Sequence, residues 1–122
     1  AVSRQRTANL TREALRMAIE HRRPSAGTVF HSDQGIEYAA HSFQLLLSTH
    51  GLIPSMSRRG NCYDNAHMES FFASLKLEIG DSFSSTAEAL QQVRDYIRFY
   101  NNTRKHSSLN YRSPADYEQV VR

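Results

Sequence analysis

Apolar positions along the chain alternate between helical and strand spacing. Ala14, Leu15, Ala18 and Ile19 form an i, i+1, i+4, i+5 stripe, which predicts a helix over 11–23. Thr11 is placed to cap it and Pro24 to stop it. Residues 28–32, Thr-Val-Phe-His-Ser, read as a short buried strand that ends in the turn Asp33-Gln34-Gly35. A second helix is predicted over 42–50, with Phe43, Leu46 and Leu47 inward and Gly51 past its end. Residues 52–56 read as a second strand, and Pro54 argues for an edge position. A loop over 57–63 leads to Asp64, a good N-cap for a helix over 65–79 closed by Gly80. On that helix Met68, Phe72, Leu75 and Ile79 share one face. Ser85 and Glu88 make a capping box. They open a long helix with Leu90, Val93, Ile97 and Tyr100 on its core side, and Ser113-Pro114 starts a last short helix.

The order is therefore α/β, with no internal repeat. Two short strands are few for so many helices, and the expectation is a sheet completed by chain outside these residues. The 122 residues suffice for one hydrophobic core. Apolar runs such as Leu45-Leu46-Leu47 fall far short of the ~18 residues a spanning helix needs. The single cysteine, Cys62, excludes an intramolecular disulfide framework and any multi-cysteine zinc site.

Charge changes the picture through its distribution. The formal net charge is only +3. Residues 24–57 hold no Lys or Arg, and Asp33 and Glu37 are their only charges. Arg4, Arg6, Arg12, Arg16, Arg22 and Arg23 precede this stretch; Arg58-Arg59 follow it; Arg94, Arg98, Arg104, Lys105 and Arg112 cluster late. An acidic centre between basic flanks suits a site that takes cations and approaches a polyanion. Scattered solvated arginines would give the same count.

Asp33 sits where a strand ends, the place where open α/β sheets hold their ligand crevices. Glu69 falls in the first half of the 65–79 helix, and Lys76 lies two turns further, about 10 Å along the same surface. Hard cations such as Mg²⁺ take oxygen ligands, one or two carboxylates plus substrate phosphates. Each residue also has a plain structural reading: a turn-forming Asp, a solvated Glu, a surface Lys, an N-capping Asp64. His31 reads as ordering the strand end by hydrogen bonding, with metal ligation as the alternative. Cys62 and His67, with His31 or His50, match no zinc spacing, and nothing supports Ser32 or Ser70 as a nucleophile. Arg58-Arg59 are candidate phosphate contacts. Arg98, Arg104, Lys105 and His106, near Tyr100 and Tyr111, form a candidate DNA-facing ridge.

Three strings carry a resemblance: His31-Ser32-Asp33-Gln34-Gly35, then residues 55–66, Ser-Met-Ser-Arg-Arg-Gly-Asn-Cys-Tyr-Asp-Asn-Ala, then Glu69-Ser70-Phe71-Phe72-Ala73-Ser74-Leu75-Lys76. With residues 96–106 and Ser113-Pro114, they resemble bacterial insertion-sequence transposases that share the retroviral-integrase catalytic domain. The resemblance runs from about residue 10 to 118, and the 35 residues between Asp33 and Glu69 match that family's spacing for its second Asp and its Glu.

What the resemblance implies is an RNase H-like integrase catalytic core truncated at its N-terminus, with the first strands absent: a linker over 1–9, a core over 10–80 and C-terminal helices over 81–122. It implies a DDE polynucleotidyl transferase. Asp33 and Glu69 would be catalytic and metal-binding, and Mg²⁺ or Mn²⁺ the cofactor, two ions in the complete site. Lys76, Arg58, Arg59, Arg104 and Lys105 would contact DNA, and His31, Asp64 and Asn65 would give structural support. The partners implied are transposon ends and target DNA, a homo-oligomer in the active assembly, and an N-terminal transposase segment. The location implied is the bacterial cytoplasm, on the nucleoid when bound to DNA. Residues 1–32 contain no Asp to serve as the first catalytic carboxylate. The expectation is therefore two-sided: part of a transposase completed by further polypeptide, or an inactive truncated remnant that binds DNA or a transposase partner.

Overall fold

A computed structural model describes residues 1–5, 7–58 and 62–121, the side chain of Cys62 excepted. The chain divides into two compact units, Ala1–Phe71 and Phe72–Arg122.

In the first unit, α1 runs from Ala8 to Arg22. The capping residue is Thr7 and not the expected Thr11: the Thr7 hydroxyl accepts from the Leu10 N–H at 3.3 Å. Thr11 sits inside the first turn, its hydroxyl donating back to the Ala8 carbonyl at 2.9 Å. Strand β1, Val29–Ser32, leads through the Asp33 turn into a short helix, α2, Ile36–Ala39, which the sequence pattern did not predict. Helix α3, His41–Thr49, follows. It ends in a Schellman motif: Leu52 N–H bonds the Leu47 carbonyl at 2.9 Å, and Gly51 N–H bonds that of Ser48 at 3.0 Å. Gly51 supplies the positive φ of 67° this requires. The motif also delivers Leu52 back onto Leu47, and with Leu15 and Phe43 they form the buried core cluster. Ile19, Phe30, Tyr38, Ala40 and Leu46 pack around it.

Strand β2, Ile53–Met56, pairs in parallel with β1, with Val29 opposite Ile53 and Ser32 opposite Met56. These two strands are the whole sheet among the described residues. The ladder fixes which edge is open. Ile53 N–H bonds Thr28 and Ser57 N–H bonds Ser32, so Pro54 turns its backbone to the outer side of β2. A proline there offers no donor and blunts that edge. On β1, Val29 and His31 turn their backbone groups away from β2. On this unit a cleft of about 180 Å³ is lined by Ala14, Leu15 and Ala18 of α1 with Phe30, Tyr38 and Phe43.

A 3₁₀ turn, Cys62–Asn65, precedes helix α4, Ala66–Ile79, and the division between units falls inside that helix. The apolar face predicted for it is not a buried one. No α4 residue is buried, and Met68 and Phe72 are 45% and 48% exposed. A period identifies a face, but burial needs a layer to cover it.

In the second unit, α5 runs from Thr86 to Asn102. The Ser85 hydroxyl accepts from Glu88 N–H at 3.1 Å. The returning carboxylate is taken by Ser84, whose N–H and hydroxyl both donate to Glu88 Oε2, and this pulls the Glu88 carboxyl below its ordinary pKa. The buried residues of α5 are Ala89 and Tyr96. Leu90, Val93 and Tyr100, expected in the core, are half-buried, and Ile97 is exposed. Helix α6, Pro114–Val121, is capped by buried Ser113, whose hydroxyl accepts from Asp116 N–H at 3.2 Å and donates to Asp116 Oδ2 at 2.7 Å. No helix among the described residues is long and apolar enough to cross a membrane.

Candidate functional site

Asp33 follows the last residue of β1 and is half-buried. Its Oδ1 accepts the Gly35 N–H at 2.8 Å, which closes the turn and fixes the carboxylate. Its Oδ2 accepts no hydrogen bond among the described residues. Gly35 leaves room here for the side chains around it. A Cβ at this position would stand 2.8 Å from Asp33 Oδ1, 3.2 Å from Glu37 Oε2 and 3.2 Å from Tyr38 Cδ2. Two carboxylates thus converge on Gly35, and Glu37 is the acid that sequence reasoning passed over. Its only signal was membership of the stretch lacking Lys and Arg.

Glu69 lies in the first turn of α4, within the same unit as Asp33. It is exposed, with no hydrogen bond or ion pair among the described residues. A carboxylate in a first turn also meets the positive end of the helix dipole.

The segments that carry Asp33 and Glu69 are tied together by polar contacts at the end of β2. Ser57, 4% exposed, donates its N–H to Ser32 at 2.8 Å. Its carbonyl accepts from Gln34 Nε2 at 3.2 Å, and its hydroxyl accepts from Asn65 Nδ2 at 3.2 Å. Next to it, Arg58 N–H donates to Asp64 Oδ2 at 3.0 Å, and Arg58 Nε lies 3.5 Å from the same oxygen. Asp64 therefore orders the Arg58 end of the loop. The predicted N-cap role is not what the geometry gives, because Asp64 sits inside the 3₁₀ turn and α4 begins only at Ala66. The Arg58 N–H holds the Asp64 carboxyl below its ordinary pKa against an opposing effect of burial, with the Arg58 guanidinium and His31 adding to the lowering. The His31 ring itself reaches Ser55, Nδ1 to Oγ at 3.0 Å.

The basic residues separate into engaged and unengaged ones. Arg104 pairs with Glu78 and lies over the Tyr100 ring, 5.9 Å from its centroid. Beside it Tyr100 meets His106 edge-on at 4.7 Å, and burial together with Glu78 pushes the Tyr96 hydroxyl above its ordinary pKa. Lys76 and Lys105 are exposed with no ion pair among the described residues. Arg59 lies outside the described residues.

The donors at hand are carboxylate oxygens, which suit a hard divalent cation in kind. Among the described residues no three His, Cys, Asp or Glu side chains converge as a metal site.

A polar turn at the end of a parallel strand, followed by a carboxylate one turn into a helix, is an α/β layout with its polar groups at the carboxyl ends of the strands, where open α/β sheets hold ligands. The comparisons agree. The integrase core domain family matches residues 1–62 in one of its forms and 50–114 in another. A 31 kDa protein of insertion element IS600 from Shigella sonnei is 44% identical over 122 residues, 98% of this chain and 45% of the relative. The transposase for insertion sequence element IS904 from Lactococcus lactis subsp. lactis (strain IL1403) is 44% identical over 113 residues, 90% of this chain and 45% of the relative. The transposase InsF for insertion sequence IS3A from Escherichia coli (strain K12) is 40% identical over 121 residues, 97% of this chain and 42% of the relative. The chain belongs to the integrase core domain family, among the insertion-sequence transposases. It spans less than half the length of these relatives.

Proposed function

We propose that this chain is the C-terminal portion of an RNase H-like transposase core and acts in DNA transposition together with further polypeptide. The observation that carries the reading is the Asp33 turn. A half-buried carboxylate at a strand end has one oxygen fixed by Gly35 and the other uncommitted, in the same unit as the uncommitted Glu69. Asp33 and Glu69 are the residues to hold Mg²⁺ or Mn²⁺. When bound, such ions, two in the complete site, supply the Lewis acidity that activates water for strand nicking and a 3′-hydroxyl for attack on target DNA. The chain's own part is to orient these carboxylates and to contact DNA phosphates, with Arg58 and Arg59 in the first unit and Lys76 and Lys105 in the second. Arg104, committed to Glu78, is the weaker phosphate contact of the set.

The sheet supports the need for a completing segment. Pro54 closes the outer edge of β2, so further strands add at the β1 edge. Parallel strands are stable only when both faces are covered. The cleft formed by α1 and Phe30 gives an apolar side chain of an added strand a place to enter.

A second reading, a remnant that binds DNA or a transposase partner without catalysis, rests on one observation: no third acidic or imidazole group joins a pair of others among the described residues. Supplying the N-terminal portion of a full-length relative separates the two. The first reading predicts that Mg²⁺-dependent nicking of cognate ends appears in the mixture or fusion. Binding to the supplied portion or to DNA, with no nicking at any metal concentration, establishes the second.

A further inference from the structure

We infer that Ser57, with Gln34 and Asn65, is the positioning element that sets Asp33 against Glu69; this rests on the proposed reading of those two carboxylates. The inference comes from how one residue spends its polar groups. Ser57 is buried; its N–H and carbonyl bond the two residues that flank Asp33, and its hydroxyl bonds a second segment at Asn65. The N–H holds the last residue of β1, Ser32, immediately before Asp33. The carbonyl holds Gln34, immediately after Asp33, at 3.2 Å. Asp33 is thus bracketed on both sides by bonds to one serine. The hydroxyl holds Asn65, the last residue of the 3₁₀ turn and one helical turn before Glu69, at 3.2 Å. No bond of this set touches a carboxylate of the proposed pair, so the three residues act through backbone placement.

The chemistry favours such a device. Asp33 is short and its turn is fixed by Gly35, whereas Glu69 stands on a helix none of whose residues is buried. With no α4 residue fully buried, the hydrogen-bonded tie at Asn65 helps to orient the start of the helix. Shells of this kind tune metal affinity by about 10–100-fold when broken, because a ligand misplaced by an ångström no longer shares the ion.

The test uses the ¹⁵N-labelled chain titrated with Mn²⁺, read as paramagnetic broadening of amide signals near Asp33 (Gly35) and near Glu69 (Ser70). In the wild type both sets broaden together at one apparent Kd. Gln34→Met, at an exposed position where folding is not at risk, and Asn65→Leu raise that Kd by about 10–100-fold. In both variants the two sets broaden at different Mn²⁺ concentrations, while the amide shifts of Leu47 and Leu52 stay in place. Ser57→Ala behaves like Asn65→Leu, and Ser57→Thr, which keeps the hydroxyl, restores joint broadening. Joint broadening at the wild-type concentration in Gln34→Met, Asn65→Leu and Ser57→Ala overturns the positioning role. Broadening that is unchanged from wild type in Asp33→Asn overturns the carboxylate-pair reading instead, and the positioning role with it.

Discussion

Replacing Gly35 with alanine tests the Asp33 turn by the smallest available perturbation. Gly35 has φ −55° and ψ 140°, values alanine adopts without strain. The backbone term therefore favours the variant by about 0.4–1 kcal/mol through the unfolded chain. Against this, the new Cβ would stand 2.8 Å from Asp33 Oδ1, the atom that accepts the Gly35 N–H at 2.8 Å. That oxygen cannot both retreat and keep its bond, and Tyr38 at 3.2 Å blocks relief on its own side. Losing a hydrogen bond to a charged acceptor costs about 1.5–3 kcal/mol. The net is a destabilisation of about 1–2 kcal/mol, opposite in sign to the effect expected for a glycine with free space at a backbone position any residue suits. With a urea m-value of about 1.5 kcal/mol/M, the midpoint should fall by about 1 M. A Gly35→Ala chain with an unchanged or higher midpoint would refute the claim that this glycine makes room for the Asp33 carboxylate.

The remaining predictions concern the core, the loop and the basic surface. Leu47→Ala removes a side chain that is 1% exposed and receives the Schellman contact of Leu52; it should cost about 2–5 kcal/mol in urea unfolding, and a loss below about 1 kcal/mol would contradict the core assignment. The Arg58–Asp64 tie should depend on pH. Because the Asp64 carboxyl is lowered in the folded chain, its contribution is complete above the ordinary Asp value of about 3.9 and is lost as pH falls through the lowered one. The Arg58 amide signal followed by NMR should move only in that acid range, and a transition centred above pH 4 would be inconsistent. DNA binding measured by fluorescence anisotropy should weaken with salt, and Lys76→Ala or Lys105→Ala should each reduce the slope of log K against log[salt] by about 0.9. Arg104→Ala should change it less, since that guanidinium is committed to Glu78; an equal change would show that the pair opens on binding.

The elements were legible where chemistry is local. Gly51 after α3 and Ser85 before α5 mark real helix ends because the capping bonds span only three to five residues. Thr11 misled because two threonines precede the first apolar stripe, and only the backbone decides which one caps. Helix α2 was invisible, since the four residues Ile36–Ala39 are too few to show a period. On α4 the spacing groups Met68, Phe72, Leu75 and Ile79 on one face, yet Leu75 and Ile79 are only half-buried and Met68 and Phe72 exposed, because a repeat says nothing about what lies opposite. At the site, Asp33 stood out as one of two charges in a stretch without Lys or Arg. The ties made by Ser57 did not, because they join residues 23 and 8 positions apart. No local pattern encodes such a pairing, and a serine at a strand end is otherwise unremarkable.

The central claim is that Asp33 works with Glu69 and not with its nearer neighbour Glu37. The direct measurement is Mg²⁺-dependent nicking by the completed transposase, comparing Glu69→Gln with Glu37→Gln. Loss of nicking in Glu69→Gln with nicking retained in Glu37→Gln is the predicted result. Nicking that survives Glu69→Gln would contradict the account.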